Sequence, residues 1–306
     1  MKIALTPEGP LDVPATLARY RLWGEDPANR LVGDAFLRVC RSQGRLWPFA
    51  VRWSGPIEAV RLEVEIPGAR APRVGEAVMF DVRRILGLDF DLPSFYRMAK
   101  ADPGLGPLLD PLYGLRPTVT PGGLEMLVGA ITAQQVNLAF AFALRARLVR
   151  RYGQPVTIAG ETVYAFPDAP ALARARPPEL RAMQLSTRKA EYIRDLARAA
   201  LQGGLDLDGL AAMASAEVVD LITAQRGLGR WTADWFLARC LGRGDVCPAG
   251  DLAVRKAFSQ SYGRGRALSE RAIRRRASAW GPHQTLAVHY LLAGLRLARP
   301  GDGGGT

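Results

Sequence analysis

Two textures divide the hydrophobic pattern of this chain. From about residue 10 to residue 87 the apolar positions come in short runs, alternating in "AVRLEVEIPG" and β-rich in "AFLRVCRSQGRLWPFAVRWSG", broken by Gly and Pro. A period of two puts successive side chains on opposite faces of a strand, so this region predicts an antiparallel sheet with a helix or two. After "LGLDFDLPSFYRMAKADPGLGPLLDPLYGLRP" alanine, leucine and arginine recur at helical spacing, and the remainder reads as all-helical. In "GGLEMLVGAITAQQV", Leu124, Leu127, Val128 and Ile131 follow the three-and-four spacing of a buried helical stripe. "NLAFAFALRARLVRRYG" continues as a second helix to Gly153, a residue type favoured just past a C-terminus. "STRKAEYIRDLARAALQGG" is another, with Ser186 or Thr187 as its N-cap and Gly203 and Gly204 as its stop.

The pattern therefore predicts an α+β protein: a sheet domain over residues 1–87, a helical core over residues 88–300 and a low-complexity, disordered tail over residues 301–306. No repeat of fixed period cuts across that division.

Composition narrows the partners. The 306 residues are 48% hydrophobic, enough to bury sizeable cores, and carry a net charge of +12. Such a charge favours a polyanion, nucleic acid or an anionic membrane, over an acidic protein face. Arginine dominates it, since only Lys2, Lys100, Lys189 and Lys256 are lysines, and a compositional bias would inflate the charge in the same way. The N-terminal "MKIALTPEGPLDVPATLARY" lacks the charged, apolar and small-residue succession of a secretion signal, and no run reaches about eighteen apolar residues. A soluble, cytoplasmic protein with no membrane contact is expected. Cys40, Cys240 and Cys247 are odd in number and lack paired spacing, so disulfides, zinc and an iron–sulfur cluster are not expected. His283 and His289 stand roughly 240° apart around a helix and share no metal-binding face.

Chemistry concentrates between Ser215 and Phe258. "SAEVVDLITAQRGLGRWTADWFLARCLG" reads as helix, turn, helix around Gly227, Leu228 and Gly229. Glycine permits positive φ and close backbone approach, while the following helix offers free N–H groups and the positive end of its dipole. Such a turn can hold a phosphate, although a purely structural helical hairpin uses the same residues. Downstream, Pro248 and Gly250 bend the chain before Asp251, which opens an apolar helix of Leu252, Val254, Ala257 and Phe258. Aspartate is among the strongest N-caps, so on local grounds Asp251 reads first as a cap.

Turn and aspartate together resemble the hairpin and catalytic aspartate of the helix-hairpin-helix DNA glycosylase superfamily, above all its DNA-3-methyladenine glycosylase II branch. The resemblance extends to "LEMLVGAITAQQVNLAFA", similar to the helix and wedge loop before the hairpin, to "LSTRKAEYIRDLARA" and to "SAWGPHQTLAVHYLLAGL". It implies two helical subdomains flanking a cleft. It also implies a monofunctional enzyme that flips alkylated bases, of the 3-methyladenine and 7-methylguanine class, out of duplex DNA and hydrolyses the N-glycosidic bond. Asp251 would be catalytic, and Trp231, Trp235 and Trp280 would line the base pocket. Gln135, beside Gln134, would fill the gap left in the stack. Phosphates would fall to Arg226, Gly227, Leu228, Gly229 and Arg230. A monovalent cation would sit on hairpin carbonyls near Gly227 and Gly229, with no side-chain metal site and no cofactor. The implied setting is a monomer acting on DNA, in the nucleoid if bacterial.

Plainer roles compete for the same residues. Asp245 is the rival carboxylate, though in the family pattern its position supports the loop. Gln134 and Gln135 serve equally as helix-end caps, and ordinary core packing claims at least one of the tryptophans. Two other functions stay open. A bifunctional glycosylase and lyase acting on oxidised bases needs a lysine two residues after the second glycine, where this chain has Trp231. A non-catalytic DNA-binding hairpin needs neither Asp251 nor the tryptophans.

Overall fold

The structure, a computed structural model, describes residues 1–297, so the tail expected to be disordered, 301–306, lies outside the described residues. Five strands, β1 (Lys2–Leu5), β2 (Arg30–Val32), β3 (Ala35–Ser42), β4 (Arg45–Ser54) and β5 (Arg61–Glu65), form an antiparallel sheet in the order β1-β5-β4-β3-β2. Two short helices, α1 (Val13–Leu17) and α2 (Arg19–Leu22), lie between β1 and β2, and α3 (Pro72–Ile85) follows the sheet. The β3–β4 register sets Phe36 opposite Val51 and Cys40 opposite Trp47. Phe36, Cys40 and Val51 pack with Val74, Val78 and Val82 of α3. On the other side Ala35, Leu37, Val39 and Ala50 meet Ile158, Val163 and Ala165 of a second hairpin, β6 (Gln154–Ile158) and β7 (Glu161–Ala165). Burial on both faces is why β3 begins as an apolar run instead of alternating.

That second hairpin departs from the all-helical expectation for the remainder of the chain. Its turn, Ala159 and Gly160, has positive φ at both residues, 50° and 79°. This is the signature of a primed turn, whose twist matches that of the flanking strands. Gly160 between Val156-Thr157-Ile158 and Thr162-Val163 carried the signal in the sequence.

The other helices are α4 (Leu92–Ala99), α5 (Gly123–Ala133), α6 (Leu138–Tyr152), α7 (Ala169–Ala173), α8 (Pro177–Ala182), α9 (Thr187–Leu201), α10 (Ser215–Thr223), α11 (Arg230–Arg239), α12 (Leu252–Tyr262), α13 (Glu270–Ser278) and α14 (Gln284–Leu297). Asn137, Ser186 and Ser269 cap α6, α9 and α13 by accepting backbone N–H groups, so Ser186, not Thr187, starts α9. Two cores result. One gathers Leu127, Leu144, Ile193, Ile222 and Phe236 from α5 through α11, and the other Phe95, Val254, Phe258, Ile273 and Tyr290 from α4 and α12 through α14. Trp235 of α11 packs against both. The chain is thus an antiparallel sheet followed by two helical subdomains that meet at α11. No described helix is long and apolar enough to cross a membrane.

A buried ionic cluster ties sheet to helices. Arg38 of β3 and Arg145 of α6 each donate to Glu125 of α5 at 2.7 Å, and Arg145 also reaches Asp26 at 3.0 Å. Burial alone would raise the Glu125 carboxyl, but the two guanidinium charges outweigh it and hold it at about 2.

Candidate active site

The hairpin turn assigns different work to its two glycines. Gly227 has φ 85°, and a Cβ there would lie 2.2 Å from Cδ2 of Tyr192, so the turn closes only around a residue without a side chain. Gly229 is extended and a Cβ would meet nothing within 4 Å; its free side leaves room beside the start of α11. The first helical bond of α11 runs from Ala233 N to Gly229 O, so the amides of Arg230, Trp231 and Thr232 precede it and remain outward donors. Leu228 departs from the phosphate expectation. Its side chain is buried in the core, and its N–H already donates to Gln225 O.

The two carbonyls expected to face a cation also accept hydrogen bonds. Gly227 O accepts from Gln134 Nε2 at 2.8 Å and Gly229 O from Ala233 N. Each carbonyl keeps a second lone pair beyond these bonds, and no step below passes through a metal. Gln134 instead joins the loop after α5 to the hairpin. Gln135, next to it, is exposed with φ 55°, a left-handed conformation that costs a non-glycine residue about 1 kcal/mol or more.

The hairpin arginines are not free cations. Arg226 pairs with Glu191 at 2.7 Å and Asp195 at 3.3 Å. Arg230 donates to Asp234 at 2.7 Å, and Arg274 holds the other oxygen of that buried carboxylate at 2.8 Å. Both hairpin arginines keep exposed side chains, so either reaches a phosphate only in competition with these carboxylates.

Opposite the hairpin, Asp251 stands at the N-cap of α12. Its Oδ1 accepts from Ala253 N at 2.8 Å and Val254 N at 3.1 Å. Its Oδ2 accepts the indole N–H of Trp231 at 2.7 Å and of Trp235 at 3.1 Å. Trp231 and Trp235 are four apart on α11 and so share a face. The cap reading and the chemical reading of Asp251 are both true of the geometry: one oxygen starts a helix while the other is held at the junction of the two cores. Asp245 lies elsewhere, lining a cavity with Arg230, Asp234 and Arg274. Trp280 requires a correction. It is buried, packs at a tilt against Phe258 and Tyr262, and donates its indole N–H to Asp102 at 3.0 Å, so it is a core residue. Leu252, read as part of an apolar stripe, is 79% exposed right after Asp251.

Residues 128–283 match the family model of the HhH-GPD superfamily base excision DNA repair proteins. The chain belongs to this superfamily. Like its relatives the glycosylase is a hydrolase of N-glycosidic bonds in DNA repair. It is 31% identical to a DNA-3-methyladenine glycosylase of Bacillus subtilis (strain 168) over 71% of each chain. It is 30% identical to DNA-3-methyladenine glycosylase 2 of Escherichia coli (strain K12), over 58% of this chain and 60% of that one. Its fold superposes on a 3-methyladenine DNA glycosylase from Archaeoglobus fulgidus with a TM-score of 0.86 at 26% identity, covering 96% of this chain and 98% of the other.

Sequence reasoning missed two residues of this site. Tyr192 of α9 fills the space that Gly227 leaves open, and Arg239 continues the Trp231–Trp235 face of α11 by one more turn. The second was within reach, because 231, 235 and 239 are spaced by four.

Proposed function

We propose that the glycosylase removes alkylated bases, of the 3-methyladenine and 7-methylguanine class, from duplex DNA as a monofunctional enzyme without cofactor. The observation that carries this reading is the convergence of two indole N–H groups and two helix amides on Asp251. Four donors match an acceptor-only carboxylate and fix its orientation at the junction of the two helical cores. An N-glycosidic bond breaks through an oxocarbenium-like sugar, whose positive charge a carboxylate so placed stabilises. An alkylated purine is already cationic and leaves as a neutral molecule, so little general-acid help is needed. The rings of Trp231 and Trp235 offer electron-rich faces to such a cation.

Trp231 also supports the absence of lyase chemistry. It occupies the position where strand-cutting relatives of the resembled family carry lysine, and an indole cannot form a Schiff base. Lys189 is occupied by the carbonyl of Thr132 at 3.0 Å, and Lys256 is an exposed residue of α12. The test is chromatography of bases released from methylated duplex DNA, combined with borohydride trapping. Free 3-methyladenine and 7-methylguanine with no trapped protein are expected. No released base sinks the glycosylase reading, and a trapped adduct sinks the monofunctional one.

A further inference from the structure

The loop that ends at Asp251 is closed by its own backbone. Ala249 N donates to Cys247 O at 2.8 Å and Asp251 N to Pro248 O at 3.0 Å, so two interlocked turns join Cys247 to the carboxylate. Cys247, Pro248 and Ala249 are buried, and a closed, packed segment shifts as one piece. Thr285 of α14 holds the upstream end of the loop, donating to Gly244 O and Val246 O. Nearer Asp251 the holder is Arg274 of α13, whose Nη1 donates to Cys247 O at 3.2 Å. Nη2 of the same guanidinium reaches Oδ2 of Asp234 and Oε1 of Glu270, each at 2.8 Å. Glu270 lies over Gly250, where a Cβ would stand 3.7 Å from its carboxylate. The other oxygen of Asp234 takes Nε of Arg230, the first residue of α11 after the hairpin. A continuous path therefore runs from the hairpin through Arg230, Asp234, Arg274 and the Cys247 carbonyl to Asp251. Asp234 is buried while Arg230 is exposed, and both line, with Arg274, Asp245 and Cys247, a cavity of about 430 Å³.

We propose that Arg274 is a positioning residue that couples phosphate capture by Arg230 to the placement of Asp251. The inference rests on the glycosylase reading above. In the free protein the buried carboxylate of Asp234 is shared between two guanidinium groups. A duplex phosphate that takes Arg230 removes one of them, and Asp234 then directs its whole charge at Arg274, in the strong class of charge-assisted bonds. The Arg274 guanidinium shifts toward Asp234 and carries the Cys247 carbonyl with it, so the loop is locked with DNA bound and looser without it. Helix α11 thus grips Asp251 twice: the indoles of Trp231 and Trp235 hold the side chain, and Asp234, acting through Arg274, holds the backbone. Misplacing a catalytic group by about 1 Å costs up to about a hundredfold in rate, so a small change in the loop is read in the chemical step.

Single-turnover release of 7-methylguanine at saturating enzyme, measured beside the Kd for the same duplex, separates the chemical step from binding. Arg274→Ala should slow release about tenfold or more while Kd changes less than about twofold. Millimolar guanidinium chloride, entering through the cavity, should restore most of that rate, and sodium chloride at the same concentration should restore none. Arg230→Gln alters an exposed side chain and should both weaken binding and slow release. Placed on top of Arg274→Ala it should weaken binding only, because the path is already cut. Independent losses of rate in the double variant overturn the proposal, and so does a loss of rate that guanidinium fails to restore or that appears in Kd alone. If Arg274→Ala does not fold, Arg274→Lys runs the same cycle, since lysine keeps a charge for Asp234 but not the fork that also reaches Cys247 O. Absence of released base from wild type overturns the glycosylase reading itself.

Discussion

Asp251 combines two tasks in one side chain, and the tasks separate by substitution. Asparagine keeps the helix cap through its single carbonyl oxygen but turns its NH2 toward the two indole N–H groups, so Asp251→Asn should melt below wild type yet above the alanine variant, while excision falls by about a hundredfold or more. Asp251→Ala should lose activity and in addition about 1 kcal/mol of stability. Single-turnover base release and thermal melts of both variants decide this, and full turnover by the asparagine variant would end the catalytic assignment. The hairpin glycines make a second contrast. Gly227→Ala forces a methyl into Tyr192 at positive φ and should cost about 1–3 kcal/mol in a urea melt. Gly229→Ala meets no atom and should leave the melt unchanged, yet weaken duplex binding by crowding the amides of α11. Equal melts for the two would show that the turn tolerates side chains generally. At this scale Asp251, Trp231 and Trp235 were singled out by the family resemblance, since on local grounds Asp251 reads as a cap, and the structure joins the three by hydrogen bonds. The resemblance misassigned Trp280, since only the tertiary partners Asp102, Phe258 and Tyr262 reveal which way that indole points. It gave Arg226 and Arg230 to phosphates: the partners Glu191 and Asp195 of Arg226 meet it only through the fold, whereas Asp234, four residues after Arg230 on one helix, was legible.

Among elements, the loop between α5 and α6 carries backbone strain. Gln135 is exposed at φ 55° while Gln134 anchors to the hairpin, a geometry that thrusts one amide outward from a fixed base. Gln135→Ala should reduce excision from duplex more than from single strands, where no gap needs filling. Equal loss on both substrates would remove the wedge role. Gln135→Gly should raise stability slightly, because glycine adopts that backbone without penalty. The helices around this loop were legible from their apolar spacing and caps. The hairpin β6–β7 was not, because its strands are short and lie between long helices, and its apolar face is explained only by the sheet surface it covers. A two-residue turn with both φ positive is a local signal, but the partner that makes the hairpin stable is more than a hundred residues away in the chain.

For the whole molecule, the Glu125 cluster sets the acid limit. The folded carboxyl is held at about 2, below its unfolded value, so its contribution is complete above about pH 5 and is lost as pH falls toward 2. Stability should therefore decline over that window in wild type. Glu125→Gln should flatten this part of the decline and cost about 3–5 kcal/mol near neutral pH, because Arg38 and Arg145 stay buried without their shared anion. Denaturant melts between pH 7 and pH 2 measure both effects, and parallel curves for the two proteins would show that the cluster does not control the acid transition. The position of Trp235, wedged into both helical cores while bound to Asp251, reaches further than stability. Swinging the two halves apart would pull that indole off the carboxylate, so bending is expected to fall to the duplex. Elastic cost then enters the search for damage. Steps that kink easily will hold the protein longer than rigid tracts, whatever base they carry, and its dwell times along intact DNA will trace a map of where the double helix is soft.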